Sequence, residues 1–365
     1  MHTTLERRAD ARGAAASGHP IVRAAVAGAT GYAGQELVRL LARHPAAALT
    51  AAMASTAAGS HRPLPALAHV WSGAVEPLDV DVLARAADVV FLALPDRAAA
   101  DLAPRLCDAG VRVIDLSGAF RLRDEAGRAR WYPDTGRMPE GIVYGLTERA
   151  RAEVAGARAV ANPGCYPTAA LLALAPLVDA GLLRPGSDIV VDAKSGVSGA
   201  GKTPSERTHF SECHGSVSAY GVFEHRHAVE IEQAIARPGP SENRADDPAG
   251  AGHHGLTFVP HLVPLDRGIL STIYVRLTAG QTEDTLAAVY ERAYAGARFV
   301  RLTGSALPEI KHVTHTNCCD IGWRVDRSGR AVIVSAIDNL LKGAAGQAVQ
   351  NMNVMLGLPE ETGLL

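Results

Sequence analysis

Short apolar runs alternate with helix-spaced leucines along the first part of the chain. At 21–45, "IVRAAVAGATGYAGQELVRLLARHP", an apolar run gives way to glycines and then to Leu37, Leu40 and Leu41 at helical spacing, which predicts strand, turn and helix. Further strands are predicted at 48–54, 87–95 and 111–118, with helical stretches such as 98–110 between them. Strands alternating with helices predict a parallel sheet with right-handed crossovers.

After residue 161 the pattern changes. A helix is predicted over 166–183, a strand over 188–196, two strands within 256–280, a helix over 282–296, and strands at 299–303 and 330–338. Strands gather there with few helices among them, so this half reads as a mixed α+β lobe. Residues 338–358, "DNLLKGAAGQAVQNMNVMLGL", are predicted to close the chain as one helix with small residues on one side. Residues 237–255, rich in Pro, Gly, Ala and charge, read as a mobile surface loop, and 1–20 as a disordered tail.

Composition narrows the partners. A chain of 365 residues suggests two domains, and a formal net charge of -2 favours neither nucleic acid nor an acidic membrane surface. The apolar runs fall short of the roughly 20 residues that span a bilayer. The five cysteines, Cys107, Cys165, Cys213, Cys318 and Cys319, are an odd set without a CxxC pair, which suggests a reducing, cytoplasmic setting. A small-molecule substrate fits best.

"GATGYAG" sets Gly28, Gly31 and Gly34 between a strand and a helix, where backbone N–H groups can meet a dinucleotide pyrophosphate. Thr30, Tyr32 and Ala33 belong to the same turn. No acidic residue occurs between Leu37 and Val75, so the carboxylate that usually holds an NAD ribose is missing. Ser55, Thr56, His61 and Arg62 offer hydroxyl and cationic groups instead, which favours NADP, although Arg62 also fits a solvated loop.

Cys165 in "ANPGCYPTA" stands where a helix begins, and a helix N-terminus favours a thiolate. A lone cysteine is as easily a buried, inert residue. A thiol nucleophile needs a proton partner, and "EHRHAVEIEQ" supplies His225, His227 and Glu230. A His-x-His pair on a strand is an alternative metal-binding arrangement, and 312–319, "HVTHTNCC", looks superficially like a zinc cluster. Neither has a recognised ligand spacing, so no metal is expected and Cys107, Cys213, Cys318 and Cys319 are taken as structural. Lys202 and Arg207 in "SGVSGAGKTPSER", and Ser117 and Arg121 just past the fourth strand, are candidate anion ligands.

Together, "GATGYAGQELVRLL", "DLSGAFRL", "NPGCYPTAA", "DAKSGVSGAGK", "HRHAVEIEQ" and "DNLLKGAAGQAVQNMN" resemble the N-acetyl-γ-glutamyl-phosphate reductases, the arginine-biosynthesis branch of the semialdehyde dehydrogenase group. The resemblance implies an α/β protein with a Rossmann-type NADP-binding domain over 21–163 and 338–365, and an α+β catalytic and dimerisation domain over 164–337. It implies NADPH-dependent reduction of an acyl phosphate to an aldehyde with release of inorganic phosphate, by a soluble homo-oligomer, dimer or tetramer. Carried onto this sequence, it makes Cys165 the nucleophile and His225 the general acid/base, with His227 a less favoured substitute and Glu230 an orienting carboxylate. Pro95, Ser195, Gly196, Asn339 and Gly343 join the cofactor contacts, and Asn162 and Ser198 join Ser117, Arg121, Lys202 and Arg207 as substrate contacts. Alternatives left open are a sister reductase acting on aminoadipyl or aspartyl phosphate, the latter disfavoured by "NPGCYPT", and a non-catalytic NADP-binding sensor.

Overall fold

The computed structural model describes residues 22–55, 62–133, 135–236 and 254–365, so the expected tail and residues 237–253 of the expected loop lie outside the described residues. The chain forms two units, one ending at Pro163 and resuming at Ala344–Leu365, the other Gly164–Gly343.

The first unit carries strands β1 (Val22–Ala27), β2 (Ala47–Ala54), β3 (Arg62–Pro63), β4 (Ala74–Pro77), β5 (Val89–Leu92), β6 (Arg112–Asp115), β7 (Val143–Tyr144) and β8 (Ala159–Ala161). Among them lie helices α1 (Tyr32–Ala42), α2 (Val80–Ala86), α3 (Asp96–Asp108), α4 (Glu125–Trp131) and α5 (Thr147–Gly156). The strands form an eight-stranded sheet in the order β3-β4-β2-β1-β5-β6-β8-β7. Every pairing is parallel except β3 with β4. Central strands of such sheets are covered on both faces, which is why β5 reads as an unbroken apolar run, Val-Val-Phe-Leu, with every residue buried. Strand order reverses at β1, which lies between β2 and β5, and open sheets bind ligands beyond such a reversal.

The second unit contains α6 (Cys165–Asp179), β9 (Ile189–Gly196), α7 (Phe210–Cys213), β10 (Ser218–Ala219), α8 (Arg226–Ile235), β11 (Leu256–Val263), β12 (Ile269–Arg276), α9 (Glu283–Ala293), β13 (Val300–Gly304), β14 (Cys319–Val325) and β15 (Arg330–Ile337). Its seven strands run β10-β11-β9-β12-β15-β14-β13 in a mixed sheet. Alternate residues of β9 and β12, among them Ile189, Val191, Ala193, Ile269, Ser271 and Ile273, are buried, the period-two pattern of a sheet with one face packed. Helix α6 packs on β12 and β15, and Ser335 Oγ donates to Ala169 O at 2.8 Å. Leu171, Leu172, Leu174 and Leu177 are fully buried, so α6 is apolar nearly all round, as a helix enclosed by a sheet and other helices must be.

The chain then re-enters the first unit as α10 (Gly346–Met355), preceded by a π-helical turn over Leu341–Ala345. Every residue of α10 is buried, including Gln347, Gln350, Asn351 and Asn353. Their side-chain N–H groups find acceptors within the unit, while Gln347 Oε1 has no hydrogen-bond partner among the described residues. Gln347 Nε2 donates to Gly145 O and Thr147 Oγ1 at 3.1 and 2.6 Å, Asn351 Nδ2 donates to Gly145 O and Asn162 Oδ1 at 2.8 and 3.1 Å, and Thr147 Oγ1 donates to Asn351 Oδ1 at 2.7 Å.

Several expectations need correction. The second crossing between units falls after Gly343 rather than before Asp338, because Asn339 Oδ1 accepts the Gly268 N–H at 2.7 Å and Asp338 Oδ2 accepts the His315 N–H at 2.8 Å, tying 338–343 to the second unit. The single helix expected over 338–358 starts only at Gly346. Strand β14 was not expected, since 312–319 drew attention as a cysteine and histidine cluster. The alternative that placed His225 and His227 on a strand also falls, for the pair opens helix α8.

Candidate active site

The glycine turn follows β1 and leads into α1. Gly28 has φ 93°, and a Cβ there would lie 2.1 Å from Ala93 O; a Cβ on Gly34 would lie 2.1 Å from Gly28 O. Both glycines are therefore required by close backbone approach. Gly31 differs. Its φ is -71° and the nearest atom to a Cβ would be Gly28 O at 3.6 Å, so neither conformation nor packing demands glycine. The missing side chain instead keeps the surface before the N–H groups of α1 open, as a pyrophosphate lying there requires, so the turn fits a dinucleotide. Ala29 in the same turn is buried and Tyr32 is exposed.

In the second unit, Cys165 is the first residue of α6 and Gly164 is its N-cap. Gly164 has no side chain to cap the helix, and its own N–H is taken up by Glu230 Oε1 at 2.8 Å, from the middle of α8. Thr168 N and Oγ1 return to Gly164 O at 2.8 and 3.0 Å. The turn that presents the thiol is thus fixed from both sides. Gly343 lies against it: a Cβ at Gly343 would be 2.8 Å from Cys165 Cβ.

His225 is the N-cap of α8. Its Nδ1 accepts the His227 N–H at 3.1 Å, so Nδ1 carries the lone pair and Nε2 the proton, leaving the outer edge of the ring a hydrogen-bond donor. Rings surround it, with centroids at 5.9 Å for Tyr166, 5.6 Å for Tyr220, 5.4 Å for Phe258 and 4.8 Å for His227. Burial, with Arg226 and Arg207 adding repulsion, pushes the His225 pKa down to about 4, so the imidazole is neutral at pH 7. Tyr166 and Tyr220 hydroxyls are 3.3 Å apart, and burial raises the pKa of both. Tyr166 follows Cys165 directly in the chain, so the residue bearing the thiol adjoins the cluster. Arg207 stacks its guanidinium 4.7 Å over the Tyr220 ring and lines a cavity of about 490 Å³ with Ser205, Glu212, Ser216 and Ser218.

Thus the structure brings together Cys165, His225, His227 and Arg207, all named from sequence, and adds Tyr166, Tyr220 and Phe258, which sequence reasoning missed. Tyr166 adjoins the cysteine in "GCYPT", a signal that could have been read; Tyr220 and Phe258 carry none. Glu230, expected to orient His225, holds the Gly164 N–H, while backbone capping orients His225.

Other candidates are committed to the scaffold. Ser117 Oγ donates to Asp115 Oδ2 at 2.7 Å, Arg121 Nε donates to Asn162 O at 2.9 Å and its Nη2 to Leu116 O at 2.8 Å, and Asn162 Nδ2 donates to Ala344 O at 3.2 Å. Burial raises the Asp115 pKa to about 6 despite the Ser117 bonds. Ser198 Oγ donates to Asp266 O at 2.5 Å and accepts from Asn339 Nδ2 at 3.0 Å, and Ser195 Oγ donates to Gly196 O at 3.0 Å. A Cβ on Gly196 would lie 2.7 Å from Asp266 O, so that glycine answers to packing. Lys202 and Arg207 are exposed. In the first unit Ser55 is exposed just past β2, Arg62 is exposed on β3, and Pro95 is the exposed N-cap of α3; Thr56 and His61 lie outside the described residues. Among the described residues no group of three or more His, Cys, Asp and Glu side chains is placed to hold a metal ion, and no helix is long and apolar enough to cross a membrane.

Comparison with known proteins agrees with both halves of this geometry. Residues 23–157 match the family model described as semialdehyde dehydrogenase, NAD binding domain, and 165–339 match semialdehyde dehydrogenase, dimerisation domain. The chain is 47% identical over 350 residues to an N-acetyl-gamma-glutamyl-phosphate reductase of Syntrophobacter fumaroxidans, covering 94% of this chain and 98% of that relative. It is 45% identical over 351 residues to the protein of the same name from Brevibacillus brevis, again covering 94% and 98%. Among solved structures, aspartate semialdehyde dehydrogenase II of Vibrio cholerae, complexed with ASA, superposes with a TM-score of 0.67 at 18% identity, over 92% of this chain and 98% of that one. The Candida albicans aspartate semialdehyde dehydrogenase with NADP gives 0.65 at 14% identity, over 92% and 98%. At those identities the two structures bear on the fold alone. The relatives, matched along nearly their whole length, place this chain in the N-acetyl-gamma-glutamyl-phosphate reductase family of the semialdehyde dehydrogenases.

Proposed function

We propose that this protein reduces N-acetyl-L-glutamyl 5-phosphate to N-acetyl-L-glutamate 5-semialdehyde with NADPH, releasing inorganic phosphate, as a step of arginine biosynthesis. The observation that carries the chemistry is Cys165 at the first position of α6, its cap held by buried Glu230 and its chain neighbour Tyr166 edge-on to the His225 ring at 5.9 Å. The substrate is taken from the names of the curated relatives.

In this reading the Cys165 thiolate, favoured by the helix dipole, attacks the acyl carbon; the bond to the phosphate oxygen breaks and phosphate leaves with the bonding pair. A thioester on Cys165 remains. A nicotinamide coenzyme, when bound, would supply the hydride that reduces it. The resulting thiohemiacetal collapses to the aldehyde, expelling the cysteine. His225, capped through Nδ1, presents Nε2–H as the donor to the substrate oxygen, with His227 the second imidazole of the cluster. A thiol is wanted because a thioester accepts hydride where a carboxylate does not. Arg207 and Lys202, both exposed, would meet the substrate's carboxylate or phosphate.

For the cofactor, Gly28, Thr30, Gly31, Tyr32, Ala33 and Gly34 would hold the pyrophosphate. The acid-free stretch around β2, with Ser55 exposed past its end and Arg62 on β3, supports NADP over NAD. The dimerisation-domain match supports a homo-oligomer, and the biosynthetic role a cytoplasmic one, with no nucleic acid or membrane partner.

The test runs the reaction in reverse with purified protein, phosphate and either NADP or NAD, offering N-acetylglutamate semialdehyde or aspartate semialdehyde and following absorbance of the reduced nicotinamide. The expected result is phosphate-dependent turnover with the acetylated aldehyde and NADP. Preferred turnover of aspartate semialdehyde, or none with either, contradicts the reading.

A further inference from the structure

We propose that Gly343 is a positioning residue for the Cys165 thiol, acting through the side chain it lacks. Gly343 does not adopt a positive φ, so its backbone has no need of glycine. What demands it is the neighbour. A Cβ at Gly343 would sit 2.8 Å from Cys165 Cβ, closer than real β carbons approach, with Cys165 Cα at 3.2 Å and Ile337 Cδ1 at 3.3 Å as further tight contacts.

Neither wall of this contact can yield cheaply. Gly343 N donates to Asp338 O at 2.9 Å, the five-residue step of a π-helical turn, a rare geometry that clusters at functional positions. Asp338 is fully buried: its Oδ1 accepts the Leu340 and Leu341 N–H groups at 2.8 and 3.0 Å, and its Oδ2 accepts the His315 N–H at 2.8 Å and faces Arg267 Nη1 at 3.4 Å. Opposite, the Cys165 backbone is fixed through the Gly164 N–H and Glu230. The thiol carbon is pressed between two anchored pieces of backbone, and the absent methyl at Gly343 sets where its sulfur points. Close positioning of a reacting atom matters, since a displacement near 1 Å costs on the order of 100-fold in rate.

The link to catalysis rests on Cys165 being the nucleophile, so the experiment includes readouts that do not. In Gly343→Ala, iodoacetamide alkylation of Cys165 is followed by peptide mass spectrometry on coenzyme-free protein, beside kcat and the KM for NADP. The expected result is a folded protein whose Cys165 alkylation rate changes about tenfold or more and whose kcat falls on the order of 10- to 100-fold, while the KM for NADP moves less than about twofold. Unchanged alkylation and kcat overturn the proposal, as does a raised KM for NADP with normal alkylation, which would make Gly343 a coenzyme contact. Should Gly343→Ala fold poorly, Cys165→Gly is added: recovery of the unfolding midpoint in the double variant supports the contact, and an equally low midpoint overturns it. If Cys165→Ser keeps reductase activity, the proposed chemistry fails while the alkylation arm still reads the contact.

Discussion

The backbone N–H of Gly164 donates to Glu230 Oε1 at 2.8 Å, so a fully buried carboxylate on one helix secures the cap of another whose first residue is a cysteine. Gly164 cannot cap with a side chain; Glu230 instead takes up the cap residue's own N–H, the bond that the third helical residue makes in a capping box. Replacing Glu230 with Ala leaves that N–H unmet in a buried place and costs about 1–3 kcal/mol in urea unfolding, whereas Glu230→Gln keeps an acceptor and costs less. Equal losses for the two variants would show that the charge, rather than the acceptor, is what matters.

His225 gives a pH dependence of defined sign. Its folded pKa is pushed down to about 4 from an ordinary 6.5, because burial and then Arg226 and Arg207 disfavour the charged ring. As pH falls below 6.5 the unfolded chain takes the proton first, so this group withdraws stability progressively down to about pH 4, on the order of 3 kcal/mol in all. Above pH 6.5 it contributes no slope. Unfolding free energies measured between pH 4 and 7 should fall less steeply for His225→Gln than for the parent; parallel curves would remove the assignment.

The three fingerprint glycines should separate on substitution. Gly31→Ala meets nothing nearer than 3.6 Å and should leave the unfolding midpoint within a few degrees of the parent while weakening NADPH binding about tenfold or more. Gly28→Ala and Gly34→Ala, each facing backbone at 2.1 Å, should lose the fold of this unit. Full NADPH affinity in Gly31→Ala, read by nucleotide fluorescence, would mean that no phosphate lies on that turn.

How much of this could be read from sequence differs by segment. The turn at 28–34 was legible because strand, glycine spacing and amphipathic helix are all local signals, and "NPGCYPT" marked Cys165 at a helix start for the same reason. His225 and His227 could be singled out from sequence as candidate proton carriers, but their helical setting could not, since "HRHAVEIEQ" lacks a Ser, Thr, Asp or Asn cap and a histidine takes that place. The roles of Glu230 and Gly343 depend on contacts 66 and 178 residues away in the chain, to Gly164 and Cys165, and no periodicity carries such information. Helix α10 was anticipated as one face of small residues; its buried Gln347 and Asn351 instead answer Gly145 and Thr147, two hundred residues earlier.

That network predicts a cost. Asn351→Leu removes the donor from Asn162 Oδ1 and the acceptor from the Thr147 hydroxyl, while Gly145 O keeps Gln347, and should destabilise the first unit by about 2–5 kcal/mol, at about 1–3 kcal/mol for each buried group left unmet. A midpoint shift no larger than that of a surface substitution would show that the amides are exchangeable for apolar packing.

The central claim is that Cys165 becomes acylated before any hydride moves. Mixing the protein with N-acetylglutamyl phosphate in the absence of nicotinamide, quenching in acid, and mapping the peptides by mass spectrometry tests it directly. The account predicts an N-acetylglutamyl group on the peptide carrying Cys165, matched by an equal release of phosphate. Phosphate released only when NADPH is added, with Cys165 unmodified, would contradict it.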